Sequence, residues 1–154
     1  MDKMRAILSH IGSWAPKAEQ VATARYMEQK EPVNNFLKTF KSEIEERLDK
    51  FYSGFKALKD KGYDVDAIAP QAAIYLTVKL DLAGRKTKAG KVLQSQSDVT
   101  NYILDEAKVA IVPFSAFGSS HNSPWYRLSV GTCNKKEISE VFASLDKVLN
   151  ELYH

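Results

Sequence analysis

Arg127 is the residue in this chain whose type and setting best suit chemistry. It lies in the run Val109 to Cys133, VAIVPFSAFGSSHNSPWYRLSVGTC, which reads as strand, glycine-bearing loop, strand. Val109 to Pro113 is an unbroken apolar run of the kind a buried strand carries. Trp125 to Val130 alternates, with Tyr126, Leu128 and Val130 pointing one way and Trp125, Arg127 and Ser129 the other. A planar guanidinium on a rigid strand, beside an aromatic and just after a polar loop, suits bidentate binding of a carboxylate. The competing reading is that an antiparallel sheet has one wet face and that the arginine is simply solvated there.

The other chemical candidates are weaker. His10, His121 and His154 have no metal-ligand spacing, so no metal site is expected. His121 reads as a solvated loop residue, and His154 is the last residue of the chain. Cys133 is the lone cysteine, which excludes an intrachain disulfide framework and fits a reducing compartment. With no histidine nearby it reads as a small strand-end residue rather than a nucleophile. Ser53-Gly54-Phe55-Lys56 spells S-x-x-K, but it sits in a helical stretch without companion motifs. Gly84 to Lys91 looks like a phosphate-binding glycine loop, yet the glycine spacing is wrong and Val92 stands where Ser or Thr is needed. The cations Arg85, Lys86, Lys88 and Lys91 could follow a phosphate backbone, but no aromatics are interleaved for base stacking. The stretch Ala83 to Ser97 therefore reads as a solvated, mobile surface loop.

The elements that must position Arg127 follow from periodicity. Met4, Ile7, Leu8 and Ile11 predict a first helix over Met1 to Ile11, and Pro16 is suited to the first position of a second that runs to about Lys30. Pro32 opens a third helix to about Lys61, with Val33, Phe36, Leu37, Phe40, Ile44, Leu48, Phe51, Phe55 and Leu58 forming one apolar stripe and Gly62 as its stop. That helix would be about 43 Å long, against a diameter near ~40 Å for a compact domain of this size. It has the shape of an interdomain connector, or of a long core helix in a single domain. A short strand is expected within Tyr63 to Ala69 and a clear one over Ala72 to Leu80. Ser97-Asp98 is expected to cap a helix from Val99 to Ala107, and Asn134 with Glu137 a last helix whose buried side includes Ile138, Val141, Phe142, Leu145, Val148 and Leu149. The fold class expected is α/β, an α+β two-layer sandwich with a small antiparallel or mixed sheet covered by helices.

A chain of 154 residues is long enough for one domain with a real core. Its 27% charged residues and formal net charge of +3 do not by themselves ask for nucleic acid. No stretch is apolar enough to span a membrane, and the N-terminus is too broken for a secretory signal, which favours the cytoplasm.

The run around Arg127 resembles the end of a fold type I pyridoxal-phosphate-dependent aminotransferase of the aspartate aminotransferase type. That family carries V-x-V-x-P-G-x-x-F-G, a variable loop, then a strand with Arg-Leu-Ser. Here the pattern stands as Val109-Ala110-Ile111-Val112-Pro113-Phe114-Ser115-Ala116-Phe117-Gly118, then Tyr126-Arg127-Leu128-Ser129, with Phe114 where the family has glycine. A second match is Pro70, Ala73-Ile74-Tyr75-Leu76 and Leu80, with Ala72 or Ala73 in place of the usual glycine. A looser one is Ser9, Ser13, Pro16, Gln20 and Ala22 near the N-terminus.

The resemblance implies that Arg127 grips a substrate's α-carboxylate and that Pro113, Phe114, Ser115, Phe117 and Gly118 shape the pocket. It implies that Ser13 and Trp14 approach the neighbouring subunit's site, although Trp14 reads equally well as a core or interface aromatic. It divides the chain into interface helices at 1–31, a connecting helix at 32–62 and a small substrate-binding domain at 63–154. No lysine stands in the family's Ser/Thr-Lys setting before a Gly-x-Arg-x-Gly run, so no catalytic residue is assigned. The parent enzyme would use pyridoxal phosphate to move an amino group between an amino acid and a 2-oxo acid. This chain would be its C-terminal part, inactive alone and binding no cofactor by itself. Its expected partners are the large domain of the same enzyme and a second copy in a homodimer, with no nucleic acid and no membrane. The alternatives are a freestanding binding or oligomerisation module of the same fold, and a nucleic-acid-binding α/β domain using the Arg85 to Lys91 loop.

Overall fold

The computed structural model describes residues 1–12 and 15–153. Ser13 and Trp14, assigned above to a neighbouring site, and His154 lie outside the described residues. The chain divides into two compact units, Met1–Lys41 and Ser42–His154.

The first unit holds helices α1 (Asp2–Ile11), α2 (Lys17–Met27) and the opening turns of α3 (Lys30–Asp60). Pro16 is the N-cap of α2 rather than its first helical residue. The missing N–H costs nothing at either position. α2 ends at Met27, short of the expected Lys30, and α3 starts at Lys30, which puts Pro32 inside the first turn. The amides of a first turn have no partner within the helix, so proline is tolerated there. Neither α1 nor α2 has a side-chain cap, and α2 has no buried residue. Met4, Ile7, Leu8, Val21, Met27, Phe36, Leu37 and Phe40 are all exposed.

The second unit is the fold class expected, and its sheet is wholly antiparallel. Strands β1 (Val65–Ala67), β2 (Tyr75–Leu80), β3 (Val112–Pro113) and β4 (Trp125–Ser129) lie in the order β1-β2-β4-β3. The rest of α3, α4 (Gln96–Ala107) and α5 (Ile138–Tyr153) share one core with the sheet. Phe51, Phe55, Leu76, Val78, Leu80, Ile103, Tyr126, Leu128, Leu145 and Leu149 are buried in it. Gly54 is required by close approach. A Cβ there would collide with the ring of Phe142, so only a bare backbone lets α5 place that ring against α3. Gly62, at φ +95°, ends α3, and its N–H donates to the Lys59 carbonyl at 2.8 Å.

Several boundaries differ from expectation. β2 begins at Tyr75 rather than Ala72, because Ala73 adopts φ 63° and turns the chain just before the strand. Only Val112–Pro113 of the Val109 run pairs as a strand, although Val109 and Ile111 are buried as their types demand. Ser95, not Ser97, caps α4. Its hydroxyl accepts from the Asp98 amide at 3.2 Å, and the Asp98 carboxylate accepts from the Ser95 amide at 3.1 Å. Asn134 does precede α5, but its Oδ1 accepts from the Lys136 amide while its own N–H donates to Glu137. The turn intervenes, so α5 proper starts at Ile138.

The stretch read as a solvated loop is a built connection. The Gly84 amide donates to the Leu93 carbonyl and the Leu93 amide to the Arg85 carbonyl, at 2.7 and 2.9 Å. Lys86 and Val92 form a bridge, and Leu93 is buried in the core. The Arg85 guanidinium lies 3.6 Å from the ring centre of Tyr153 and donates to Asp64 at 2.8 Å. Lys91 pairs with Asp98 at 2.9 Å.

Candidate functional site

The register of the sheet decides what surrounds Arg127. Residues directly opposite share a face, and Arg127 stands opposite Thr77 of β2 on one side and Val112 of β3 on the other. Tyr75 pairs with Ser129, and Lys79 with Trp125, so these lie on the same face. Leu76, Val78, Tyr126 and Leu128 point into the core. Arg127 therefore rises from a strand hydrogen-bonded on both sides, out of the face opposite the core. A base so held restricts where the guanidinium can swing.

Two aromatic rings lie against the guanidinium. Its carbon lies 4.5 Å from the ring centre of Tyr75 and 4.6 Å from that of Phe117. Tyr75 comes from β2. Phe117 comes from the one-turn 3-10 helix Phe114–Phe117, which Gly118 closes at φ 89°. Such cation–π contacts hold the guanidinium without consuming its N–H donors. Among the described residues Arg127 has no ion-pair partner within 4.0 Å. Its two rings are each about half exposed, at 42% for Tyr75 and 55% for Phe117, so a ligand can reach the fork. A solvated arginine on a wet face needs no such contacts.

The remaining pocket-loop residues fall into distinct roles. Pro113 pairs with Tyr126 in the sheet, and Phe114 packs its ring edge-on to Phe117 at 6.3 Å between centres. Phe114 does not have a positive φ, so the position does not require the glycine of the family pattern. Ala73 does, at φ 63°, and it is the residue that takes the place of the other family glycine. The Ser115 hydroxyl donates to Oε1 of Gln96 at 2.5 Å. Gln96 is a buried polar side chain whose Nε2 donates to the carbonyls of Ser123 at 2.5 Å and Trp125 at 3.4 Å. The contacts of Tyr75 and Phe117 with Arg127, and the part played by Gln96, had no direct signal in the sequence. The rings meet only through strand register, and a lone glutamine in a polar stretch looks like a solvated residue.

This chain matches the family model for aminotransferases of class I and II over residues 1–145, and it belongs to that family. The family is of fold type I and works with pyridoxal phosphate. Among curated proteins, the chain is 38% identical over 84 residues to a Rickettsia bellii protein described as "Probable aspartate/prephenate aminotransferase", covering 54% of this chain and 20% of that one. It is 30% identical over 118 residues to the aspartate aminotransferase of Rhizobium meliloti strain 1021, covering 74% of this chain and 27% of that protein. The solved aspartate aminotransferase from Rhizobium meliloti superimposes with a TM-score of 0.65 at 30% identity, over 76% of this chain and 28% of that one. The aromatic aminotransferase from Pyrococcus horikoshii OT3 shares the fold, with a TM-score of 0.62 at 21% identity over 79% and 28% of the two chains. The chain thus spans between about a fifth and a quarter of the length of these curated relatives.

The residues near Arg127 do not make a cofactor site. Lys79, the lysine on this face, is tied to Asp81 at 3.0 Å and lies in Val78-Lys79-Leu80 rather than before a glycine run. Asp66, the carboxylate opposite Lys79, is held by Lys56 at 2.6 Å and by Lys59. These ion pairs push the Asp66 carboxyl far below its ordinary value and leave it no partner role for a pyridine ring. No group of three or more metal-ligating side chains occurs among the described residues, and no helix is long and apolar enough to cross a membrane.

Proposed function

We propose that this chain supplies the substrate-gripping part of an aminotransferase that moves an amino group between an amino acid and a 2-oxo acid. Arg127 binds the α-carboxylate through two parallel N–H to O bonds, with Tyr75 and Phe117 against the guanidinium. The bound carboxylate fixes how the substrate's α-carbon is presented, a positioning role that counts heavily in catalysis. The pocket loop from Pro113 to Gly118 shapes the space above the fork. The cofactor and the Schiff-base lysine belong to parts of such an enzyme beyond the residues present here, so the chain alone does not transaminate.

The supporting observation is the arginine lying against two half-exposed rings, with no carboxylate within 4.0 Å of it among the described residues. In the same reading, 1–31 forms interface helices, 32–62 a connector and 63–154 the small domain. The exposed apolar residues of α1, α2 and early α3 are then the surface that meets the enzyme's large domain and a second copy of the chain. Nucleic-acid binding by the Arg85 to Lys91 loop is disfavoured. Arg85 is occupied by Asp64 and Tyr153, and Lys91 by Asp98.

A titration with pyruvate followed by NMR tests the reading. The Arg127 side-chain N–H signal is expected to shift with a saturable curve. Arg127→Lys, which keeps the charge and loses the fork, is expected to weaken binding by roughly tenfold or more. Equal affinity in the lysine variant would sink the bidentate clamp.

A further inference from the structure

We infer that Gln96 is a positioning residue that sets the two halves of the Arg127 stack against each other, an inference that rests on reading Arg127 as a carboxylate clamp. Gln96 is buried at 8% exposure, the one buried polar residue among the described residues. A buried amide must satisfy both its carbonyl and its amino group. Gln96 does so by reaching in two directions. Its Oε1 accepts from Ser115 in the turn that carries Phe117, and its Nε2 donates to the carbonyls of Ser123 and Trp125. Trp125 opens β4, two residues before Arg127.

One side chain therefore ties the turn that supplies the upper ring to the strand that supplies the guanidinium. The variable loop between them, 118 to 124, does not have to hold that geometry itself. The anchor is firm at its own end. Gln96 is the first residue of α4, directly after the Ser95 cap, and its backbone carbonyl accepts from the Thr100 hydroxyl at 2.8 Å. A small, partly open cleft of about 210 Å³ lies beside it, lined by Gln94, Ser95, Asn122, Ser123 and Tyr126 among others. Three hydrogen bonds orient the buried amide. Losing them would let the turn and the strand drift apart.

The chemistry predicts different outcomes for different changes. Gln96→Glu keeps an acceptor for Ser115 and loses both bonds to carbonyls. Ser115→Ala loses only the bond to the turn. Gln96→Ala loses all three.

The test uses the full chain, with the Arg127 side-chain N–H signal and its water exchange measured first without ligand and then with pyruvate. The expected result is a shifted, faster-exchanging Arg127 signal in Gln96→Ala and Gln96→Glu and a smaller change in Ser115→Ala. Pyruvate affinity should fall by about tenfold in the first two. The backbone spectrum of the core strands should not move. Ser115→Ala touches no core residue, so it reports even if Gln96→Ala folds poorly. An Arg127 signal that is unchanged in Ser115→Ala and Gln96→Glu overturns the inference. Absence of any pyruvate effect in the unmodified chain overturns the clamp instead, and the ligand-free exchange comparison still decides whether Gln96 positions Arg127.

Discussion

The two halves of α3 carry the same apolar spacing and meet opposite fates. Phe36, Leu37 and Phe40, in the first unit, are exposed, whereas Ile44, Leu48, Phe51, Phe55 and Leu58, in the second, are buried. Phe36 and Phe40 stack on each other at 5.8 Å, while Phe51 and Phe55 both pack on Phe142 of α5. Periodicity states which residues gain by leaving water. It does not state what will cover them. In the second unit the cover is the chain's own sheet and helices. In the first unit no side chain of α2 is buried, so that helix lacks the tertiary packing from which helices draw most of their stability.

The largest expected effect tests that difference. Phe55→Ala empties a site at 1% exposure and should cost about 3–5 kcal/mol in denaturant unfolding. Phe40→Ser, one face and four turns earlier, should change unfolding by no more than about 0.5 kcal/mol. Sedimentation of the same variant should show weaker self-association, because it removes part of the surface proposed to meet another copy. Comparable destabilisation by both variants would mean that the first unit has a core of its own, and the contrast would fail.

A mid-sized effect comes from Ala73. A residue with a Cβ at φ 63° costs roughly 1–2 kcal/mol relative to glycine, offset in part by the glycine's greater freedom when unfolded. Ala73→Gly is expected to stabilise the second unit by about 1 kcal/mol. Hydrogen exchange would sharpen the contrast between regions. Slower exchange is expected in β2 and β4, and fast exchange in α2 should be unaltered, since that helix buries nothing. No gain in stability would mean that the turn before β2 is relaxed by its neighbours.

Arg127 was legible because alternation in a strand assigns faces without knowledge of neighbours, and the family pattern gave it a task. The apolar core of the second unit was legible for the same reason. Its partners were not, since Tyr75 reaches Arg127 through a register that only strand pairing sets, and Phe117 through a turn that leaves no periodicity. The 83–97 stretch misled because its composition is polar, yet a bridge and a backbone ladder need no apolar side chains. The α4 cap was within reach. Ser95 and Asp98 stand at capping-box spacing, and Ser97 merely adjoins the acid. The sequence shows the missing glycine before β2, but only the backbone reveals that Ala73 bears the strain.

The smallest expected effect concerns acid. In the second unit α4 is capped by a titratable group, while α1 and α2 have no side-chain caps to protonate. The Lys91 ammonium and the Ser95 hydrogen bonds lower the Asp98 carboxyl from its ordinary value to about 2. A lowered carboxylate favours the folded state at every pH above its unfolded value near 3.8, and that contribution is lost as pH falls through about 2. Carboxyl NMR should find Asp98 still ionised at a pH where exposed aspartates are half protonated. Helical signals from α4 should weaken between about pH 4 and pH 2, and those from α2 should not follow the same curve. Asp98→Asn removes the ionisation and the Lys91 pair, so the α4 transition should flatten. A transition that persists unchanged in that variant would assign the acid response to other groups, with Asp66 the next to examine because Lys56 and Lys59 hold its carboxyl lower still.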